Sequence, residues 1–209
     1  MKKMIITIIG KDRPGIVAAV SGGLFQMDCN IQNVNQMILQ NEFAGFFVVE
    51  PPEDMDISQI KEGLSLKLEG MKLHVHADEL STPSHGSSSG NSRNGKQVYG
   101  GKDKRGNGHY NGNGEDEDIF LITTFGPDQK GLVAKITKII ASHNVNITNL
   151  KAVFKGGDEP SANIMNYQVA MTPDNDQASL FRELREKAAE LNLDISIQHK
   201  NIFEKINKI

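Results

Sequence analysis

Apolar residues recur with two different spacings along this 209-residue chain, and the spacings predict its secondary structure. The segments MIITIIG (4–10) and IFLITTFG (119–126) have the length and apolar content of buried strands. After each of them, apolar residues recur every three or four positions, which predicts a helix beginning near Pro14 and near Lys130. Two further strands, a second helix and a last strand then follow in both halves.

The two halves are an internal repeat with an offset of 116 residues. Between 6–34 and 122–150 the same residue types recur at matching positions, and the clearest are Asp12/Asp128, Gly15/Gly131, Val17/Val133, Asn30/Asn146, Ile31/Ile147 and Asn33/Asn149. Beyond this stretch the alignment shifts by about six residues, because the second copy has the longer hairpin connection FKGGDEPSAN (154–163).

The order strand, helix, strand, strand, helix, strand in each copy predicts the ferredoxin-like βαββαβ arrangement. The predicted fold class is therefore α+β, with two such domains, each with an antiparallel four-stranded sheet and both helices on one face. Edge-to-edge or face-to-face pairing of the sheets, within the chain or between chains, would protect their edges and apolar surface. We expect a first domain over residues 1–80 and a second over 118–209, which ends in a short helical tail.

Residues 81–117 differ in character from both halves. Gly, Ser and Asn make up 20 of the 34 positions from 81 to 114, with almost no side chain to bury. Such a segment cannot offset the entropy lost on ordering, so we expect a flexible linker.

Composition and charge argue against nucleic-acid binding, disulfide bonds and a membrane span. The formal net charge of -3 does not favour a protein built mainly to bind nucleic acid. A single cysteine, Cys29, allows no intramolecular disulfide, which favours a reducing compartment, and we expect a cytoplasmic protein without metal or cofactor. The N-terminal run MKKMIITIIG is too short for a membrane span and is interpreted as a strand, so no membrane partner is expected.

The stretches DRPG (12–15) and DQKG (128–131) stand where the first helix of each copy begins. In the simpler interpretation, Asp12 caps this helix and Pro14 is its first residue. In the second, the unpaired amides of the first helical turn bind a carboxylate, and the Asp carboxylate binds an ammonium group. Asn30 and Asn146 each follow their Asp by eighteen positions and could complete a pocket for an amino acid.

The segment DRPGIVAAVSGGLFQMDCNI (12–31), and more loosely DQKGLVAKITKIIASHNVNI (128–147), resembles the opening of ACT domains, regulatory modules that bind amino acids. The tandem arrangement is most similar to the family of the glycine cleavage system transcriptional repressor. The resemblance implies a ligand at an interface between modules, and the strongest candidates are Asp12, Gly15 and Asn30. Gln129 and Lys130 replace Arg13 and Pro14 in the second copy, so its site could be altered, bind another ligand or be only structural. The full set of implied ligand-binding residues is Asp12, Arg13, Pro14, Gly15, Ile16, Asn30, Ile31, Asp128, Gly131, Leu132, Asn146 and Ile147.

The resemblance predicts a non-enzymatic regulator that binds a small amino acid of the glycine or serine class. We expect it to form a homodimer and to signal through a protein partner or through oligomerisation. One alternative is RNA binding through the sheet face, because Phe43, Phe46 and Phe47 lie on the third strand. Another is a relative of the regulatory module of formyltetrahydrofolate deformylase, which begins with a similar DRPG segment. Here a second copy follows the first in place of a catalytic domain.

Overall fold

The computed structural model describes residues 2–80, 117–154 and 163–202, and it confirms the α+β class with two βαββαβ repeats. The first repeat comprises β1 (Lys3–Lys11), α1 (Ile16–Gln26), β2 (Asn30–Leu39), β3 (Glu42–Glu50), α2 (Ile57–Leu68) and β4 (His74–Leu80). The second comprises β5 (Asp118–Gly126), α3 (Leu132–Ser142), β6 (Asn146–Phe154), β7 (Asn163–Met171), α4 (Gln177–Glu190) and β8 (Asp194–His199). The linker up to residue 116, the second hairpin connection (155–162) and the tail from residue 203 lie outside the described residues, so the predicted domain boundaries stay predictions.

The two predicted four-stranded sheets join into one sheet of eight antiparallel strands, in the order β4-β1-β3-β2-β6-β7-β5-β8. The join is the pairing of β2 with β6, which runs from Asn33 opposite Val153 to Met37 opposite Asn149. Each of these strands would be an edge in an isolated repeat, so their pairing satisfies backbone groups that would otherwise face water. Edge-to-edge pairing within the chain is therefore the arrangement adopted.

Burial alternates along the strands and separates the two faces of the sheet. In β1, Ile6 and Ile8 are fully buried, whereas the next residue, Ile9, is exposed. The buried face carries the helices, and α1 and α3 pack against each other across the join between the repeats. No helix in the described ranges is long and apolar enough to cross a membrane.

The helices α1 to α4 begin in two different ways. Asp56 caps α2 by accepting a hydrogen bond from the Gln59 amide, and Asp176 caps α4 by accepting one from the Ser179 amide. The helices α1 and α3 have no side-chain cap, and the residue before each is a glycine in the left-handed conformation, with φ 90° at Gly15 and 84° at Gly131. The first turns of α1 and α3 thus keep amides that no side chain satisfies.

Candidate functional site

The loop between β1 and α1 carries the DRPG residues and is fixed at its start. The Asp12 amide donates a hydrogen bond to the Asn41 carbonyl at 2.9 Å, at the tip of the β2–β3 hairpin. The left-handed turn at Gly15 then places the first helical residue at Ile16. The simpler interpretation is therefore wrong in two details, because Asp12 does not cap α1 and Pro14 is not its first residue.

The Asp12 side chain bonds across the interface between the repeats instead. Asn146 Nδ2 donates a hydrogen bond to Asp12 Oδ2 at 2.7 Å, from the first residue of β6. Asp12 Oδ1 is buried and has no hydrogen-bond partner among the described residues. Burial raises the pKa of Asp12, and hydrogen bonds from the Asn146 side chain and from the Arg13 backbone amide oppose that rise. The carboxyl group therefore has one oxygen engaged and one available to a donor.

A cleft opens beside this hydrogen bond, between the start of α1 and the second repeat. Its polar side chains are those of Asp12, Arg13, Asn146 and of Thr137 on α3, and small or apolar residues complete the walls. The enclosed space is about 10 Å³, which is room for about one water molecule. The lining residues are Asp12, Arg13, Gly15, Ile16, Val17, Ala18, Phe43, Thr137, Ala141, Val145, Asn146 and Ile147. We call this the Asp12 cleft.

The Arg13 side chain anchors its loop. Its Nη2 donates a hydrogen bond to the Gly70 carbonyl at 2.8 Å, in the short 3-10 helix that follows α2. Gln129, the equivalent residue of the second repeat, donates from Nε2 to the Leu191 carbonyl at 2.6 Å, just after α4. The departure from the motif at this position therefore keeps the same structural role.

The equivalent loop of the second repeat forms its own contacts with the first. Burial raises the pKa of Asp128, and a hydrogen bond from the Gln129 backbone amide to its carboxyl group opposes that rise. Its Oδ1 is also buried without a hydrogen-bond partner among the described residues. In the same loop, the Lys130 ammonium donates a hydrogen bond to Asp28 Oδ1 at 2.8 Å. Asp28 lies two residues before Asn30, the first residue of β2. Between Asp128 and Asn30 the described residues have no hydrogen bond to match the one between Asp12 and Asn146.

The structure therefore sorts the predicted site residues into two groups. Asp12, Arg13, Gly15, Ile16, Asn146 and Ile147 line the Asp12 cleft, whereas Pro14 is exposed and outside it. Ile31 and Leu132 are buried in the core and do not line the cleft. Asn30, Asp128 and Gly131 also lie outside its lining. Asn146, rather than Asn30 of the same repeat, contacts Asp12.

Half of the residues that line the Asp12 cleft were not predicted from the sequence. Val17, Ala18 and Val145 adjoin predicted site residues, but Thr137 and Ala141 come from α3 and Phe43 from β3. The signal for the α3 residues is their spacing of four, which places them on one helix face. That signal becomes useful only once α3 is known to lie beside α1.

Three other features of the sequence have simpler structural roles. Phe43 and Phe47 are buried on the helix side of the sheet and only Phe46 is exposed, at 44%, so the three do not form one exposed stacking surface. Burial raises the pKa of the Cys29 thiol to about 11, which makes it a poor nucleophile at neutral pH. His76 is paired with Asp78 at 2.8 Å, and the described ranges hold no cluster of three or more potential metal-ligating side chains.

Several known proteins are similar to this chain. A UPF0237 protein of Methanopyrus kandleri is 37% identical over 65 residues, which are 31% of this chain and 72% of the relative. An ACT domain protein from Streptococcus pneumoniae is 29% identical and similar in structure over 37% of this chain and 89% of its own, with a TM-score of 0.35. The crystal structure of a candidate glycine cleavage system transcriptional repressor is 16% identical over 95% of this chain and 96% of its own, with a TM-score of 0.36.

Both TM-scores are low, so membership of a family depends on the sequence match. The family model for the ACT domain matches residues 2–78 and residues 118–198, one match in each repeat. Together these ranges cover most of the chain. The chain therefore belongs to the ACT domain family, with two copies of the domain in tandem.

Proposed function

We propose that this protein is a non-enzymatic regulator that binds a small amino acid in the Asp12 cleft. The observation that supports this most strongly is the Asp12 carboxyl group in the cleft, whose Oδ2 accepts a hydrogen bond from Asn146. Its Oδ1 is buried and finds no hydrogen-bond partner within the ranges that the structure describes. A buried acceptor of this kind favours a ligand that donates hydrogen bonds and carries positive charge. The α-ammonium group of an amino acid meets both needs.

The start of α1 supplies the complementary half of the site. Gly15, Ile16, Val17 and Ala18 all line the cleft, and α1 has no side-chain cap. The amides of a first helical turn lack intrahelical acceptors and stand at the positive end of the helix dipole, so they attract a carboxylate. An α-carboxylate at these amides and an α-ammonium at Asp12 would occupy one cleft together.

The walls of the cleft favour a ligand with a small side chain. Ala18, Ala141 and Val145 are short, and the Phe43 ring is fully buried behind them. The enclosed space of about 10 Å³ is smaller than any amino acid, so the ligand has to widen the cleft as it enters. Glycine has no side chain and would require the least widening, and the side chain of serine is among the smallest of the others.

This widening offers a mechanism for signalling. The cleft lies between the start of α1 in one ACT domain and α3 and β6 in the other, so a ligand that separates its walls changes how the domains pack. A ligand shifts such an equilibrium only as far as it prefers one packing over the other. We propose that a cytoplasmic protein partner or a second copy of the chain responds to the change.

A homodimer is the proposed oligomer, and the outer face of the sheet supports it. This face lies opposite the helices and carries large apolar side chains that are 39–70% exposed. Exposed apolar patches on this scale commonly mark a protein interface. The residues are Ile9, Met37, Leu39, Phe46, Phe125 and Ile164. Light scattering after size-exclusion chromatography, with and without glycine or serine, measures both the oligomer and its response.

Calorimetric titration with each of the twenty amino acids tests the proposed ligand. We expect heat with glycine or L-serine, and no binding of glycinamide or N-acetylglycine, which each lack one of the two charged groups. Asp12→Asn removes the charge and keeps the shape, so we expect binding at least about tenfold weaker, or about 1.4 kcal/mol. Because burial disfavours the charged carboxylate, the melting temperature of this variant at neutral pH should be no lower than that of the wild-type protein. If no amino acid gave heat on titration, the proposal would be wrong. If N-acetylglycine bound as tightly as glycine, Asp12 would not be the group that binds the ammonium.

A further inference from the structure

The repeat gives the Asp12 cleft an equivalent at the other side of the interface between the ACT domains. The offset of 116 residues relates Asp12 to Asp128, Gly15 to Gly131 and Asn146 to Asn30. The same offset relates Ala141, which lines the Asp12 cleft, to Phe25 at the end of α1. A methyl group on one side thus corresponds to a benzyl group on the other.

This difference decides whether the space beside each glycine is open. A Cβ placed on Gly15 would meet no other group within 4 Å. A Cβ placed on Gly131 would lie 2.5, 2.6 and 3.2 Å from three ring carbons of Phe25. The ring therefore occupies the position over the first turn of α3 that stays open over the first turn of α1.

Two lysines of the second domain contact the end of α1, and one of them contacts the Phe25 ring. The Lys135 ammonium lies 6.0 Å from the centre of the Phe25 ring, in the range of a cation–π contact. Lys130 forms its ion pair with Asp28, three residues after Phe25, at 2.8 Å. Both contacts join the second domain to the end of α1 and keep Phe25 against Gly131. They are partly exposed, so each contributes little stability by itself.

We propose that Phe25 is a built-in plug that closes the second cleft, so that the chain binds one amino acid rather than two. The inference depends on the proposed function for the Asp12 cleft. It adds the number of amino acids that one chain binds and the residue that determines this number. Asp128 Oδ1 is buried and has no hydrogen-bond partner in the described parts of the chain, and the same holds for Asp12 Oδ1. The chemistry of the second site is thus present, and its volume is filled.

A reciprocal exchange tests the plug by calorimetry with glycine and L-serine. We expect one site per chain in the wild-type protein, two in Phe25→Ala, and at least tenfold weaker binding in Ala141→Phe. Ala141→Leu is the second occluding variant in case Ala141→Phe does not fold, as judged by its thermal transition. Two sites in the wild-type protein, one site in Phe25→Ala, or unchanged affinity in a folded occluding variant would each overturn the inference.

A measurement without ligand separates this inference from the proposed function. Amide hydrogen exchange of Leu132 and Val133, in the first turn of α3, should be faster in Phe25→Ala than in the wild-type protein. The amides of Ile16 and Val17 in α1 are the internal reference and should exchange at the same rate in both. Unchanged exchange at Leu132 and Val133 would overturn the plug, whereas a wild-type protein that binds no amino acid would overturn only the proposed function.

Discussion

Ser21 on α1 and Thr137 on α3 occupy equivalent positions 116 residues apart, and their hydroxyl oxygens lie 3.1 Å from each other in the buried centre of the interface. Each oxygen also lies 2.7 Å from a carbonyl one turn earlier in its own helix, that of Val17 or Val133. The two hydroxyl groups mark the local twofold relation between the ACT domains. The Asp12 cleft and the plugged cleft lie on opposite sides of the Ser21–Thr137 contact.

Variants at Ser21 test how tightly the two domains pack around the Ser21–Thr137 contact. Ser21→Ala leaves Thr137 its bond to Val133, so we expect a loss of about 1 kcal/mol or less in the free energy of unfolding. Ser21→Leu adds a larger side chain to a fully buried position and should cost about 1–3 kcal/mol by overpacking. Urea unfolding of the two variants measures the difference, and equal stability would show a looser interface than the structure has.

The repeat and the order of its elements were predictable because they depend on local patterns. Apolar spacing located the strands and helices to within a few residues, and the DRPG and DQKG motifs located the loops that face the interface. The cap was assigned wrongly because Asp followed by Pro is equally typical of a helix start. The left-handed turn at Gly15 frees Asp12 from that role.

The pairing of residues across the domains could not be predicted. Asn30 and Asn146 stand at the same distance from the preceding Asp in sequence, and nothing in either segment shows which domain contacts which. That depends on β2 pairing with β6, a contact between distant parts of the chain. The contrast between Phe25 and Ala141 likewise has a meaning only when α1 and α3 are neighbours.

Gly15 and Gly131 offer a matched pair of substitutions. Both have positive φ, so Gly15→Ala should cost about 1–2 kcal/mol through backbone strain alone. Gly131→Ala should cost more than Gly15→Ala, because the new methyl group meets the Phe25 ring. In a Phe25→Ala background the excess should disappear. Urea unfolding of this double-mutant cycle measures the coupling, and equal costs at both glycines would contradict the position of the ring.

Asp12 predicts a pH dependence of stability with a definite sign. Burial raises its pKa above the ordinary value of 3.8, so the folded chain binds more protons than the unfolded chain between 3.8 and the raised pKa. The stability of the wild-type protein relative to Asp12→Asn should therefore fall as pH rises through that window and stay constant above it. Urea unfolding of both proteins across the window measures this, and a relative stability that rises with pH would contradict the buried position of the carboxyl group.

The ligand should depend on pH in the opposite way. An ammonium group binds the charged form of Asp12, so affinity for glycine or serine should fall as pH decreases below the raised pKa. Asp12→Asn, whose affinity is already low, should show no such change over the same range. Calorimetric titration at several pH values measures both proteins, and a parallel loss of affinity in the two would assign the titration to another group.

Gln36 tests the join between the two halves of the sheet. It lies on β2 opposite Leu150 of β6, is fully buried, and donates from Nε2 to the Ile147 carbonyl at 3.2 Å, while its Oε1 has no partner among the described residues. Gln36→Glu puts a carboxylate against that carbonyl, so we expect a loss of about 2 kcal/mol or more at neutral pH. A protonated Glu can donate to the same oxygen, so most of this loss should be recovered in mild acid.

Gln36→Met is the control for the same position. It removes the hydrogen bond together with the unpartnered oxygen at similar volume, so its stability should stay within about 1 kcal/mol of the wild-type value at every pH. Urea unfolding of both variants, each compared with the wild-type protein at the same pH, separates the charge from the loss of the amide. If Gln36→Glu were as stable as the wild-type protein at neutral pH, water would have to reach the β2–β6 join, and the domains would be less closely packed than the Asp12–Asn146 bond requires.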